Sequence, residues 1–356
     1  MDTVKKNSTK TTSFLKSNHY ILITGANGEV GHGLINKLKK LRKEEIMNII
    51  ALDLNDLDRT LKDNTAVFVK GSVTDKDLLS DIFSKYKIDT VYHLAAVLST
   101  TGEKNPELAH EVNVGGTYNL LSIANRISSK EKRVIKFIFP STIAVFGMQS
   151  KKQKTINKKP KENEFLNPIT MYGINKLYCE NLGRYFSSYY QSLNTDHRPL
   201  LLDFRCVRFP GLISAETIPT GGTSDYAPEM LHAAAKGKKF ECFVRPDSKI
   251  HFMAMPDAID ALIQLTKIPE NKLSGRVYNI AGFSVSAKEI EKMVKKHFPK
   301  SDISYKVNPE RQKIIDSWSE DVDDCLAVKD WAWKAEYDFK KAFEKYLIPA
   351  IKNKYK

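Results

Sequence analysis

The feature that most narrows what this chain can fold into lies near its N-terminus, in Thr24-Gly25-Ala26-Asn27-Gly28-Glu29-Val30-Gly31. A strand-like stretch over 20–24 precedes the run, and an amphipathic helical stretch over 30–41 follows it. Glycines at Gly-x-x-Gly-x-x-Gly spacing let a backbone turn tightly and approach a pyrophosphate. The N–H groups and positive dipole end of the following helix then face the anion. A tight turn without ligand has the same glycines. The strand before and the helix after are what favour the nucleotide reading.

The rest of the chain repeats this alternation. Residues 49–52, 67–70, 90–94, 137–140 and 200–208 read as strands, and 76–85, 105–126 and 172–190 as helices. The expected fold is α/β, a Rossmann-type doubly wound parallel sheet with a smaller C-terminal α/β substrate lobe. After residue 208 the pattern changes. Residues 209–225 are rich in Gly, Pro, Ser and Thr, as functional loops often are. A helix over 225–236 and a late sheet strand over 277–281 follow. The expected organisation is an N-terminal extension over 1–18 and an NAD-binding unit over 19–206, to which segments near 251–281 return. A substrate lobe over 207–250 and 282–356 completes it.

Composition excludes several classes. No apolar run approaches bilayer-spanning length. The net charge of +14 comes mostly from Lys, dispersed between the N-terminal extension and a run at Lys151, Lys152, Lys154, Lys158, Lys159 and Lys161. These runs lack interleaved Arg and aromatics, so nucleic acid is not an expected partner. The second run reads as a solvated loop. Cys179, Cys206, Cys242 and Cys325 form no CxxC pair, which argues against a zinc site and a disulfide framework. No metal is expected. Residues 1–18 lack the apolar core of a secretory signal. They leave open a mitochondrial transit peptide or a disordered tail, hence matrix or cytoplasm.

Three further elements carry chemistry. Asp53 ends the second strand about 20 residues beyond Gly31, where a carboxylate accepts both adenosine ribose hydroxyls and repels a 2′-phosphate; NAD is the expected cofactor. Tyr172 and Lys176 are one helical turn apart and share a face. A nearby ammonium and a cationic nicotinamide favour the phenolate, so Tyr172 can take a hydroxyl proton as hydride leaves. Alone, Tyr-x-x-x-Lys is common on surface helices; its order after the fingerprint gives it weight. Ser141 and Thr142 close the fifth strand, on the side where open α/β sheets bind ligands. A hydroxyl there aligns the reacting oxygen, although Ser and Thr also end strands for purely structural reasons.

These elements, in this order, resemble the short-chain dehydrogenase/reductase superfamily, and the length and long late segment resemble its extended branch. His93-Leu94-Ala95-Ala96 is similar to that family's fourth-strand motif, and Asn113 to its helix asparagine. Alignment on Gly147 puts the family's catalytic hydroxyl on Thr142. The Asp that often binds adenine is replaced by Ser72, which leaves that contact to backbone such as that of Val73. Four segments resemble the L-threonine dehydrogenases of the superfamily: 98–103, 140–144, 208–226 and 316–338.

The resemblance implies oxidation of L-threonine by NAD to 2-amino-3-ketobutyrate, with Tyr172, Lys176 and Thr142 catalytic. It implies cofactor contacts from Gly25, Asn27, Gly28, Glu29, Val30, Gly31, Asp53, Val73, Leu94, Ala95, Ala96, Asn113, Tyr172 and Lys176. A small zwitterion needs donors for its carboxylate and an acceptor for its ammonium: Ser99, Gly102, Thr223 and Ser224 can supply hydroxyl or backbone groups, Asp225 is a candidate partner for the ammonium, and Ser141, Thr142 and Tyr172 complete the expected substrate contacts. A homodimer packed through helices, including the one bearing Tyr172, is also implied. An epimerase or dehydratase of nucleotide sugars shares every cofactor motif and stays open. A non-catalytic member would lack Tyr or Lys, and both are present.

Overall fold

Short apolar strands pair side by side to build the frame. The computed structural model describes residues 19–41, 48–157, 159–190, 201–216 and 222–356. The expected extension over 1–18, Lys158 and the centre of the late loop, 217–221, lie outside them. The strands are β1 (His19–Thr24), β2 (Asn48–Asp53), β3 (Val67–Lys70), β4 (Lys87–His93), β5 (Ile135–Thr142) and β6 (Leu202–Phe209). Then come β7 (Gly211–Ile213), β8 (Phe240–Cys242), β9 (Lys249–Ala254), β10 (Val277–Asn279), β11 (Phe283–Ser286) and β12 (Ile303–Tyr305). Among the described residues the large sheet runs β10-β6-β5-β4-β1-β2-β3, all pairs parallel. The order reverses between β1 and β4, and Thr24 stands opposite His93 there. A crevice at such a switch point is where this architecture binds ligands. The expected α/β class and doubly wound sheet are borne out.

Both faces of the sheet are covered. Leu34, Ile35, Ile259 and Leu262 fill one side, from the helices Glu29–Leu41 and Met255–Lys267. Leu79, Phe83, Leu120, Leu121 and Phe186 fill the other. Each fully buried Leu or Phe contributes about 1.5–3 kcal/mol. Side-chain caps set where helices begin. Asp75 accepts from the Leu78 N–H, and Thr170 Oγ1 accepts from the Gly173 N–H at 3.1 Å. The second cap fixes the start of Met171–Ser188, the helix that carries Tyr172 and Lys176.

Pro210 alone separates β6 from β7, so the chain passes at once from the large sheet into a three-stranded one, β11-β9-β7. A third small sheet pairs β8 with β12. Tyr226, Met230, Phe252 and Phe343 form part of this lobe's core. Within the segment expected to return to the large sheet, β10 and the helix Met255–Lys267 do so, whereas β9 pairs in the small sheet. Within the expected lobe, Ala327, Trp331 and Trp333 pack instead into the large sheet's core.

Two local expectations change. The long helix over 105–126 is Pro106–His110, a π-helical turn at Glu111–Gly115, and Gly116–Glu131. The Lys-rich stretch is not simply a solvated loop. Lys151–Ile156 is a helix, and Lys154 is buried with Nζ donating to the Ile315 carbonyl at 2.9 Å. Burial pushes its pKa down to about 8. No helix among the described residues is long and apolar enough to cross a membrane.

Candidate active site

A cleft of about 1040 Å³ opens over the switch point between β1 and β4. At one end lies the glycine loop. Gly25 has φ +67, a conformation that disfavours other residues, and a Cβ on it would fall 2.6 Å from the Ala95 nitrogen. A Cβ on Gly31 would fall 2.3 Å from the Ala26 carbonyl oxygen, so the helix start is packed directly on the loop. Gly28, Glu29 and Val30 line the cleft, and the N-terminus of a 13-residue helix faces it. This backbone cradle fits a dinucleotide pyrophosphate.

Asp53 stands at the wall beside it. Its Oδ2 accepts from the Asn27 N–H at 2.9 Å and its Oδ1 from the Asn55 N–H at 3.0 Å. Each carboxylate oxygen has a second acceptor site, so ribose hydroxyls can still be received. Asn27 lines the cleft too, and its side-chain oxygen accepts from the Asp58 N–H at 3.2 Å, bracing the next turn. Val73, Leu94, Ala95 and Ala96 line the middle. The Ser72 hydroxyl pairs with Thr74 at 2.8 Å.

Asn113 does not line the cleft as an expected cofactor contact would, but supports it from behind, as the family's helix asparagine is expected to. It sits one layer behind the wall, in the π-helical turn, where it accepts from the Val97 N–H at 2.7 Å and donates to the Val97 carbonyl at 3.0 Å. It holds the stretch after β4 in place. Beneath, His93 lies buried between the hydroxyls of Thr24 and Thr117, at 2.8 and 2.9 Å. Burial pushes its pKa down to about 3, so the ring is neutral.

The reacting end gathers Thr142, Tyr172 and Lys176 along the same cleft. Thr142 Oγ1 accepts from the Ala144 N–H at 3.1 Å, which leaves its hydroxyl proton to donate. Lys176 Nζ donates to the Pro140 carbonyl at 2.8 Å and lies 4.4 Å from the Phe139 ring centroid. Burial lowers its pKa to about 8. Burial also raises the Tyr172 phenol above its ordinary value. Without ligand the phenol is therefore protonated at neutral pH, and Lys176 alone does not hold it ionised. Ser141 also lines the cleft, and its hydroxyl donates to Glu180, which is locked to the buried Arg208 at 2.7 Å.

The far wall is assembled from distant segments. Ser99 Oγ and Thr223 Oγ1 share a hydrogen bond of 3.0 Å across 124 residues of chain. Ser224 and Asp225 line the cleft beside them, and the Gly222 N–H donates to Asp225 Oδ2 at 2.6 Å. Gly102 is not in the wall. A Cβ there would meet Ala109 at 3.4 Å, so it spaces the short helix Ser99–Lys104 from its neighbours. Lining residues without an assigned role in the sequence reading include Leu98, Phe209, Pro210, Leu212, Trp318 and Lys354. All but Lys354 lie in the segments 98–103, 208–226 and 316–338, whose resemblance to the L-threonine dehydrogenases is the signal that could have found them. Among the described residues no cluster of His, Cys, Asp and Glu could hold a metal ion.

Comparison with known proteins agrees with this geometry. The chain is 35% identical to the mitochondrial L-threonine 3-dehydrogenase of Bos taurus over 333 residues, covering 92% of this chain and 82% of that protein. The structure of an L-threonine dehydrogenase from Clostridium difficile superposes with a TM-score of 0.82 at 35% identity, covering 94% and 98% of the two chains. A monomeric L-threonine 3-dehydrogenase from a metagenome superposes with a TM-score of 0.81 at 36% identity, covering 94% and 100%. Residues 21–281 match the model of one family along most of the two-sheet frame and all of the Tyr172 helix, and the chain belongs to that NAD dependent epimerase/dehydratase family.

Proposed function

We propose that this chain, an NAD-dependent oxidoreductase, oxidises the β-hydroxyl of L-threonine to give 2-amino-3-ketobutyrate. One observation carries the reading. Tyr172, Lys176 and Thr142 line the same cleft as the glycine loop and Asp53, opposite a small polar wall of Ser99, Thr223, Ser224 and Asp225. That wall suits a small zwitterion, with hydroxyl and backbone donors for a carboxylate and Asp225 for an ammonium. Gly25, Gly28 and Gly31 would hold the pyrophosphate, and Asp53 the adenosine ribose. Bound NAD⁺ supplies the hydride acceptor and, as a cation, favours the phenolate of Tyr172. Tyr172 then takes the β-hydroxyl proton, and Lys176 keeps positive charge one helical turn away. Thr142 donates to the reacting oxygen and aligns it.

NADH formation from purified protein, NAD⁺ and L-threonine tests the reading, with NADP⁺ expected to give about tenfold less signal or weaker because of Asp53. Absence of turnover from protein that binds NAD⁺ would remove L-threonine as substrate. Tyr172→Phe should lower kcat about 10²–10⁴-fold with NAD⁺ affinity retained. A variant turning over near the wild-type rate would remove Tyr172 as the base.

The Tyr172 helix also leaves Ile174, Tyr178, Tyr185 and Tyr189 exposed, beside exposed Tyr118 on the neighbouring helix. Aromatic residues grouped on adjacent helices suit a second copy of this chain. Sedimentation equilibrium should give twice the 40.4 kDa chain mass, and a monomer at micromolar concentration would overturn the homodimer.

A further inference from the structure

The helix Pro309–Ser317 stands behind the substrate side of the cleft and ends at Trp318, which lines it. Arg311, in its first turn, reaches the substrate loop. Its Nη2 donates to the Gly222 carbonyl at 2.6 Å, across 89 residues of chain. Gly222 in turn supplies the N–H that meets the Asp225 carboxylate. A Cβ on Gly222 would fall 2.7 Å from Asp225 Oδ1, so the turn closes tightly on that carboxylate. The Arg311 guanidinium lies on the Phe243 ring, 3.3 Å from its centroid, with Glu229 and Asp225 as its nearby acidic groups. Its Nε is buried and has no hydrogen-bond partner among the described residues.

That last detail is informative. A buried N–H left unpaired is costly, and arginine's rigid fork means that aiming one nitrogen fixes the others. The fork here is directed at one backbone carbonyl, at the expense of its own Nε. We infer that Arg311 is a positioning residue for the substrate loop: it fixes the Gly222 carbonyl and, through the Gly222–Asp225 turn, the carboxylate that receives the substrate's ammonium. Arg311 itself touches no reacting atom. The inference rests on the reading above for the identity of the amino acid, whereas the fixing of the turn does not depend on it.

Arg311→Ala, Arg311→Gln and Arg311→Lys test this in the full chain. The Ala and Gln variants should raise KM for L-threonine about tenfold or more, with kcat within about threefold and NAD⁺ affinity unchanged. The Lys variant keeps a charge and a donor and should recover part of the loss. A merely structural role would instead shift NAD⁺ affinity and thermal stability together with KM. Hydrogen exchange on the ligand-free protein needs no substrate. The Gly222–Asp225 amides should exchange about tenfold faster in Arg311→Ala, while those of Glu29–Leu41 stay as they were. Unchanged exchange at Gly222–Asp225, or an unmoved KM in an active variant, overturns the inference. If the unaltered chain does not oxidise L-threonine, the substrate reading falls alone and the exchange result still decides the role of Arg311.

Discussion

At the nucleotide end of the cleft the wall is largely backbone: Gly25 pressed against Ala95, Gly31 against Ala26, and Asp53 tied to two N–H groups. At the substrate end it is largely side chains, brought by segments around 99, 142, 223 and 318. A backbone wall is specified by local spacing and tolerates almost no added atom. A side-chain wall is specified by the packing of the whole fold and can be altered one group at a time. The first kind suits a ligand common to a family; the second suits the part of a site that varies between substrates.

The largest expected effect comes from adding one atom at the backbone end. Gly25→Ala places a methyl within 2.6 Å of the Ala95 nitrogen at a φ of +67. The strain alone is about 1–3 kcal/mol, and the loop must move to relieve it. NAD⁺ affinity, read by calorimetry, should fall about 100-fold or more, equivalent to about 2.8 kcal/mol. Alanine at Ser224, across the cleft, should leave that affinity unchanged. If Gly25→Ala binds NAD⁺ normally, the nucleotide end is more pliant than its contacts imply, and the contrast between the two ends collapses.

A second test uses a pair of buried histidines, one beneath the nucleotide end and one in the small sheet beyond the cleft. His93 lies under the nucleotide end, with burial lowering its pKa to about 3; His251 lies in β9, with burial lowering its pKa to about 4. Both exceed their folded values once unfolded, near 6.5. The unfolded chain therefore binds more protons below pH 6.5, and stability falls as pH drops from there toward 4 and 3. Each should remove about 2 kcal/mol between pH 7 and 5. His93 is bonded on both nitrogens, whereas His251 accepts from the Gly282 N–H at 2.8 Å and its Nδ1 has no partner among the described residues. Replacing either by Gln should flatten the acid limb of a urea-unfolding series by about the same amount. An unchanged limb in His93→Gln would mean that the nucleotide end admits the proton, and water with it.

The same contrast explains what could be read in advance. Gly25, Gly28, Gly31 and Asp53 were legible because a glycine turn and a strand-end acid are local patterns. Tyr172 and Lys176 could be picked out because one helical turn separates them and they follow the glycine fingerprint in the chain. Ser141 lines the cleft beside Thr142, but that its hydroxyl is engaged by Glu180, itself paired with Arg208, depends on tertiary partners that no local pattern announces. Asn113 was placed one layer too far forward, since nothing local reveals that its amide clamps Val97. Gly102 serves helix spacing, which no motif announces. The burial of Lys154 against Ile315 likewise depends on a partner 161 residues away. The assignment of β9 to a second sheet depends on β7 and β11, one on each side of it.

The smallest effect bears most directly on how the substrate end is held. Ser99 and Thr223 are both buried, and their hydroxyls are hydrogen-bonded to each other. Ser99→Ala alone strands the Thr223 hydroxyl, and Thr223→Val alone strands that of Ser99; each should cost about 1–3 kcal/mol, because a buried hydroxyl loses its partner. The double variant removes both groups and strands neither, so its cost should fall short of the sum by about 1 kcal/mol. The cycle can be read twice, once in unfolding free energy and once in kcat/KM for L-threonine. Coupling in both would mean that the bond joins the two wall segments in the free protein and during turnover alike. Coupling in stability alone would mean that substrate breaks the bond on binding and takes one hydroxyl for itself. Strict additivity in both would leave the two segments held independently, and the substrate end would then share the nucleotide end's reliance on backbone.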